Sequence, residues 1–388
     1  MNGTRTLDDV ARTRLLPPVP VLAAPMAGGP STPELVAAVV RSGGGGLLAG
    51  GMRTADQVRG QVDALRALLG APSGGPVGGG EPERWGVNLF VPDAVNTAIP
   101  AAARTDAARA ARREAVAAYR ERLAAAGWAD LPAVDDVLPD PDDERAGFEA
   151  MLAAALEQAW PLVSFTFGLP EAGVFARLAA AGVPAGVTVT DAAEACTALG
   201  HGARFLVVQG HRAGGHRGSL DPAADPTRAE LPAVLAQVRA VVGPGVPIVA
   251  AGGVGTAEDA RALLAAGADA VSAGTAFLLT PEAGTSAAHR AGIAQCAAGE
   301  AFADGSGRAR TALTRAYTGR WARSLSTAFL AAHPDAPAAY PELNVLTSRL
   351  RAAAAAAGDL DRVHLWAGTQ AHLAREAEAA AVVASLAP

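Results

Sequence analysis

The sequence predicts an α/β fold, a (β/α)8 TIM barrel carrying a helical insertion after the third strand and a helical C-terminal extension. Three observations predict it. Eight short apolar runs recur along the 388 residues. They do not alternate polar and apolar, which suits strands buried on both faces of a parallel sheet. Helix-like segments separate most of them, and glycine-rich loops follow several at the ends where such barrels bind ligands. A doubly wound sheet is the competing assignment. The strand count and the loop motifs favour the barrel.

In chain order the predicted strands are VLAAPM (21–26), GLLAG (46–50), WGVNLF (85–90), LVSFTF (162–167), AGVTVT (185–190), FLVVQ (205–209), PIVAAG (247–252) and AVSAGT (270–275). The clearest helices are TPELVAAVVRSG (32–43) and TAEDARALLAAG (256–267). Each opens on a threonine suited to an N-cap with an acid in the first turn, and each stops at glycine. Residues 93–160 exceed what one crossover needs and read as an Ala/Arg-rich helical insertion, either a solvated decoration or a substrate lid. PSGGPVGGGEPE (72–83) reads as a flexible loop. The barrel is assigned to 1–310. Residues 311–388 are assigned to a helical extension packed back on it, including RTALTRAYTGRWARSL (310–325).

Composition narrows the function. Half the residues are apolar and the net charge is −6, with no long run of one sign. That argues against nucleic-acid or anionic-membrane partners. The 32 basic residues are all arginine. A Schiff-base lysine, a pyridoxal-phosphate enzyme and a Walker A loop are therefore excluded. Two cysteines, Cys196 and Cys296, form no CxxC; a disulfide framework is not expected and a reducing cytoplasm fits. The N-terminal segment, with Arg5, Asp8, Asp9, Arg12 and Arg14, reads as neither signal peptide nor membrane anchor.

The chemistry is expected at the strand ends. After the seventh strand stand Gly252 and Gly253, and after the eighth Gly274 and Thr275. Glycine lets backbone N–H groups approach an anion, and the helix opening at Thr256 adds its positive end. Paired glycine loops at these ends point to a phosphate site. Pro25 and Met26 end the first strand at the barrel mouth. Asn88 and Gln209 place amides in apolar strands. Each must find hydrogen-bond partners, from a bound heterocycle or from neighbouring backbone. In GHRAGGHRG (210–218), Gly214 and Gly215 allow backbone to lie along a flat ring, and His216 then projects over the site. Imidazole suits general-base work near neutral pH, against the structural role a lone histidine more often has. His211 is the weaker candidate. No HExxH, cysteine cluster or GxSxG occurs, so no metal is expected.

Taken together these residues resemble the class I nitronate monooxygenases, once called 2-nitropropane dioxygenases. The matching pieces are APMAGGPSTPELVAAVVRSGG (24–44), WGVNLFVP (85–92), VSFTFG (163–168), QGHRAGGHRG (209–218), PIVAAGGV (247–254) and DAVSAGTAFLLTPE (269–282). YPELNVLTSRLR (340–351) and LWAGTQ (365–370) extend the match. The resemblance implies a barrel enzyme with non-covalent FMN. Pro25, Met26, Asn88 and Gln209 would contact the ring. Gly214 and Gly215 would lie along the cofactor, and Gly252, Gly253, Gly274 and Thr275 would hold its phosphate. His216 matches the catalytic histidine, which abstracts the α-proton of a neutral nitroalkane. A nitronate or nitroalkane and O2 would be the partners, a carbonyl compound with nitrite or nitrate the products, and a homodimer the compatible assembly. Many relatives carry an acid where Arg212 stands, which puts a loop contact in doubt. The alternatives are an FMN-dependent NAD(P)H enoyl-thioester or quinone reductase on the same barrel, an inosine-monophosphate-dehydrogenase-like enzyme, disfavoured because neither Cys196, upstream, nor Cys296, beyond the barrel strands, stands in the loop after the sixth strand, and a non-catalytic flavin- or phosphate-binding protein.

Overall fold

A computed structural model describes residues 6–70, 83–226 and 228–388. The strands are β1 (Val21–Ala23), β2 (Gly45–Ala49), β3 (Trp85–Phe90), β4 (Val163–Thr166), β5 (Ala185–Val189), β6 (Phe205–Gln209), β7 (Gly215–His216), β8 (Ile248–Ala251), β9 (Ala270–Ala273), β10 (Thr311–Thr314) and β11 (Ala322–Leu325). β1 through β6, β8 and β9 close into a barrel in chain order. The last pairing, Leu22 with Ser272, is parallel like the rest. This is the (β/α)8 barrel expected from the apolar runs, whose seventh and eighth strands are β8 and β9.

The strand residues divide by the two-residue period of the pleat. Leu22, Leu47, Leu162, Phe205, Val249 and Ala270 meet inside the barrel with Leu15, while Val21 and Ala23 pack outward on the helices. Small residues make room for large ones: a Cβ at Gly186 would stand 2.3 Å from the Phe205 ring, and one at Gly86 2.2 Å from Leu162. Such alternation fills a barrel core without voids.

The helices are α1 (Leu7–Leu15), α2 (Pro33–Arg41), α3 (Ala55–Leu68), α4 (Asp106–Ala125), α5 (Pro141–Glu157), α6 (Ala172–Ala180), α7 (Ala192–His201), α8 (Leu231–Val242), α9 (Ala257–Ala265), α10 (Ala287–Ala297), α11 (Ala328–Ala332), α12 (Glu342–Leu346), α13 (Ser348–Ala356) and α14 (Ala379–Leu386). Thr32 caps α2, its hydroxyl accepting from the Leu35 N–H at 3.0 Å. Thr256 and Asp259 form a capping box on α9. The glycine-rich stretch 72–83 lies outside the described residues except for Glu83.

Residues 93–160 hold two different helices. α5 leads into β4, and its Phe148, Met151, Leu152, Ala154 and Ala155 join the main core. α4 instead buries Val116, Tyr119 and Leu123 against Tyr317, Phe329, Leu343 and Leu346 of the C-terminal part. The C-terminal part also differs from its helical expectation at 310–325. β10 and β11 are antiparallel, and β11 pairs with β7 through Ala322 and His216. A Thr-containing segment has strand propensity, and pairing with a loop a hundred residues earlier settles the outcome. α14 returns to the barrel, burying Ala379, Val382, Val383 and Leu386 in the main core. No described helix is long and apolar enough to cross a membrane. Cys196 and Cys296 are both free thiols.

Candidate active site

The carboxyl ends of the barrel strands open on a cavity of about 380 Å³. Pro25, Met26, Asn88, Gln209, Gly214, Gly215, His216, Gly252, Gly253, Gly274 and Thr275 all line it. His211 does not line it: its Nδ1 lies 3.0 Å from the Ala229 carbonyl and its Nε2 3.6 Å from Glu230.

One side is built of unsatisfied backbone donors. Gly252 and Gly253 have φ of +109° and +78°, a region that L side chains rarely adopt. A Cβ on Gly252 would also stand 2.8 Å from the Ala213 nitrogen. The N–H groups of Gly252, Gly253, Gly274 and Thr275 donate to no acceptor among the described residues. The Thr275 hydroxyl accepts the Gly368 N–H at 3.0 Å, so its own proton remains to be donated. The helix end is less available than expected: one Asp259 carboxylate oxygen already accepts the N–H groups of Gly255 and Thr256 and the Thr256 hydroxyl. The loop amides of Gly252, Gly253, Gly274 and Thr275 are the free anion donors that line the cavity.

On the floor, the Met26 N–H donates to the Ser31 hydroxyl at 2.7 Å, holding the turn after β1. Asn88 donates through Nδ2 to the hydroxyls of Ser164 and Thr166, both at 2.8 Å. Its Oδ1 has no partner among the described residues. Gln209 uses both ends of its amide on backbone, donating to the His216 carbonyl at 3.0 Å and accepting the Gly218 N–H at 2.8 Å. Asn88 keeps its whole oxygen for a ligand, while Gln209 shapes the loop that carries His216 and keeps one N–H and one lone pair toward the cavity it lines. Gly214 is needed for a different close approach than a flat ring: its Cβ would stand 2.5 Å from the Gly368 nitrogen, where the C-terminal chain crosses.

His216 sits on β7, so its direction is set by pairing with β11. Its Nε2 lies 2.9 Å from the Thr318 hydroxyl. The rings of Phe167, Tyr340 and Trp366 surround it at centroid distances of 5.4, 5.8 and 5.2 Å. This setting depresses its pKa to about 3, through burial first and then the cations Arg320 and Arg351. The imidazole is thus neutral at neutral pH and a reluctant proton acceptor.

The far wall comes from residues not singled out in the sequence. Thr318, Asn344, Arg351, His364 and Trp366 line the cavity. Arg351 is 9 % exposed. It donates to the Asn344 carbonyl and Oδ1 at 2.7 and 2.9 Å and has no carboxylate partner. Arg320 is 2 % exposed, bound by the carbonyls of Arg217 and Ser219, with its guanidinium 4.3 Å over the Phe167 ring. Arg320 lies within reach of the charges of Asp93, Glu194 and Asp221, whereas Arg351, with no carboxylate counter-charge among the described residues, brings positive potential to the cavity it lines. Asn344 and Arg351 fall in YPELNVLTSRLR and Trp366 in LWAGTQ, so the motifs were visible while their roles were not. Arg212 pairs with Glu230 at 2.9 Å. No group of three or more potential metal ligands occurs among the described residues.

This arrangement has known counterparts. The family model described as nitronate monooxygenase matches residues 10–388. A nitronate monooxygenase of Paraburkholderia phytofirmans is 34 % identical, with 98 % of this chain and 95 % of that protein covered. A probable nitronate monooxygenase of Staphylococcus aureus is 29 % identical, covering 92 % and 89 %. The crystal structure of nitroalkane oxidase from Streptomyces ansochromogenes superposes with a TM-score of 0.78 at 40 % identity, covering 96 % and 95 %. FabK from Thermotoga maritima, at 20 % identity and a TM-score of 0.65, shares the fold. The chain belongs to the nitronate monooxygenase family and is an oxidoreductase.

Proposed function

We propose that the chain is an FMN-dependent enzyme that oxidises alkyl nitronates with O2 to carbonyl compounds and nitrite or nitrate, and that it works in the cytoplasm. The observation that carries this reading is a single cavity with two unlike sides: free backbone donors on the β8 and β9 loops, and a histidine beside the buried Arg351 opposite. The donor set fits a phosphate held without lysine. Gly252, Gly253, Gly274 and Thr275 would hold the FMN phosphate, with Pro25, Met26 and the Asn88 Oδ1 toward the ring. Bound there, FMN supplies the electron acceptor that the substrate carbon needs and relays electrons to O2.

The chain's own residues then have distinct tasks. Arg351, which lines the cavity, makes an anion more welcome than a neutral molecule, which favours a pre-formed nitronate. The neutral His216 has the correct form to take an α-proton from a nitroalkane through the ring nitrogen that Thr318 does not occupy, with Thr318 orienting the ring at Nε2. Its depressed pKa makes that step less favourable than direct use of the anion. The aromatic ring wall excludes water.

Two measurements test this. The purified protein should show a flavin spectrum, and acid or heat should release FMN rather than FAD; a colourless protein that cannot be reconstituted with FMN overturns the reading. His216→Asn should lower turnover of a neutral nitroalkane by about 10²–10⁴-fold, the usual worth of general-base help, and oxidation of the corresponding nitronate much less. Equal losses on both would make His216 a binding or structural residue.

A further inference from the structure

The segment between β3 and β4 reaches the active site without lining it, at two points. The first is Asn96, which is fully buried. Its Nδ2 donates to the carbonyls of Phe167 and Leu220 at 3.3 and 3.0 Å, and its Oδ1 accepts the N–H groups of Leu169 and Ala98 at 2.9 and 3.0 Å. Every polar capacity of the amide is used. Gly168 passes so closely that a Cβ would lie 2.4 Å from the Asn96 Cγ. The turn moulded around Asn96 holds Phe167 at φ +79°, an outlier for a bulky residue that persists only where surroundings impose it. The imposed direction lays the Phe167 ring against His216 and Tyr340, both at 5.4 Å.

The second point is Arg112 on α4. Its guanidinium bonds Asp93 at 2.9 Å, Glu342 at 2.6 Å and the Tyr340 carbonyl. Glu342 is 3 % exposed, and Glu144 adds a third carboxylate close enough to feel Asp93 and Glu342. Without Arg112, acids would face one another beside the chain that carries Tyr340. Two of the three aromatic neighbours of His216, Phe167 and Tyr340, therefore take their positions from residues 93–112.

We infer that Asn96 and Arg112 are positioning residues for the reaction, Asn96 acting through Phe167 and Arg112 through Tyr340, and that the long β3–β4 connection serves to build this wall around His216. The inference rests on reading His216 as the residue that meets the substrate. Its job is exclusion of water from the imidazole and fixed placement of the substrate carbon. The charged or titratable groups facing His216 are Arg320 ahead of β11, Tyr340 ahead of α12, Arg351 on α13 and His364 beside Trp366.

The test uses the flavin-loaded enzyme and four variants. Arg112→Gln and Asn96→Ala should lower kcat/KM for a nitronate by about 10–100-fold, the cost of misplacing groups by around 1 Å, with flavin content unchanged. Wetting of His216 should also bring an acid limb into the pH profile for a neutral nitroalkane, between pH 5 and 6.5, where the parent is flat. Arg112→Lys should recover part of the loss. Arg113→Gln, next to Arg112 on α4, which breaks an exposed ion pair with Asp135 beyond the helix, should change nothing. Normal kinetics and a flat profile in Arg112→Gln and Asn96→Ala overturn the inference. So does a loss of stability or flavin with unchanged kinetics per flavin, which would make both residues purely structural. If His216→Asn is silent on every substrate, the functional reading fails instead.

Discussion

At the scale of single residues, the site depends on what glycine leaves out. Gly253 combines φ of +78° with an N–H that no protein group accepts. Substitution there adds strain, and a Cβ would come 3.2 Å from the Arg212 Cδ. Gly253→Ala isolates those two costs. Gly253→Asp adds a carboxylate where a phosphate is proposed, a repulsion of about 1–4 kcal/mol at 4 Å for effective dielectric constants between 80 and 20. Flavin should therefore dissociate from Gly253→Asp roughly five- to a thousandfold more readily than from Gly253→Ala, measured by flavin fluorescence on dilution. Equal retention in the two would place the anion elsewhere. The same reasoning separates Asn88 from Gln209. Both look alike in sequence, as amides in apolar strands, yet Gln209 is tied to its own loop at both ends while the Asn88 oxygen is wholly free. Sequence shows that a buried amide needs partners, and cannot show which partners arrive first.

At the scale of elements, the barrel strands were legible because each is a continuous apolar run whose state local composition nearly decides. Their packing is just as specific. Gly186 on β5 faces Phe205 on β6, and a Cβ would stand 2.3 Å from that ring. Gly186→Ala should destabilise the fold by about 1–3 kcal/mol through overpacking, read as a lower urea midpoint with an unchanged slope. Phe205→Leu should give back part of that loss in the double variant, since residues in contact are not additive. Strict additivity would show that the barrel interior yields at this point. β10 and β11 were illegible for the opposite reason. β10 pairs only with β11, and β11 is flanked on its other side by β7, two residues of a glycine loop, Gly215–His216. No window of sequence holds both β11 and β7. Tyr340 and Arg351 escaped notice likewise, because they meet His216 only after the chain has folded back over the barrel mouth.

At the scale of the molecule, that folding back encloses histidines in apolar or cationic surroundings, and the enclosure makes stability depend on pH. His216 is depressed to about 3 and His289, 2.9 Å from the Trp366 carbonyl, to about 4, burial being the leading cause for each. His364 is pushed well below its usual value by burial and then by Arg351. Unfolded, each would titrate near 6.5. Between that value and the folded one, the unfolded chain binds more protons than the native protein, so stability rises with pH. The contribution is whole above about pH 6.5 and is lost as pH falls toward the folded values. Each such histidine contributes about 1.4 kcal/mol per pH unit in that window. From pH 6.5 to 5, where most carboxylates remain ionised, the unfolding free energy from urea titrations should fall steeply. His289→Gln should flatten that slope by about 1.4 kcal/mol per unit, at equal flavin content. His289 serves as the probe because its ring is held by a backbone carbonyl apart from His216 and its cations. A slope unchanged by the substitution would mean that His289 takes up its proton in the native state, and that the C-terminal cover admits water to the ring.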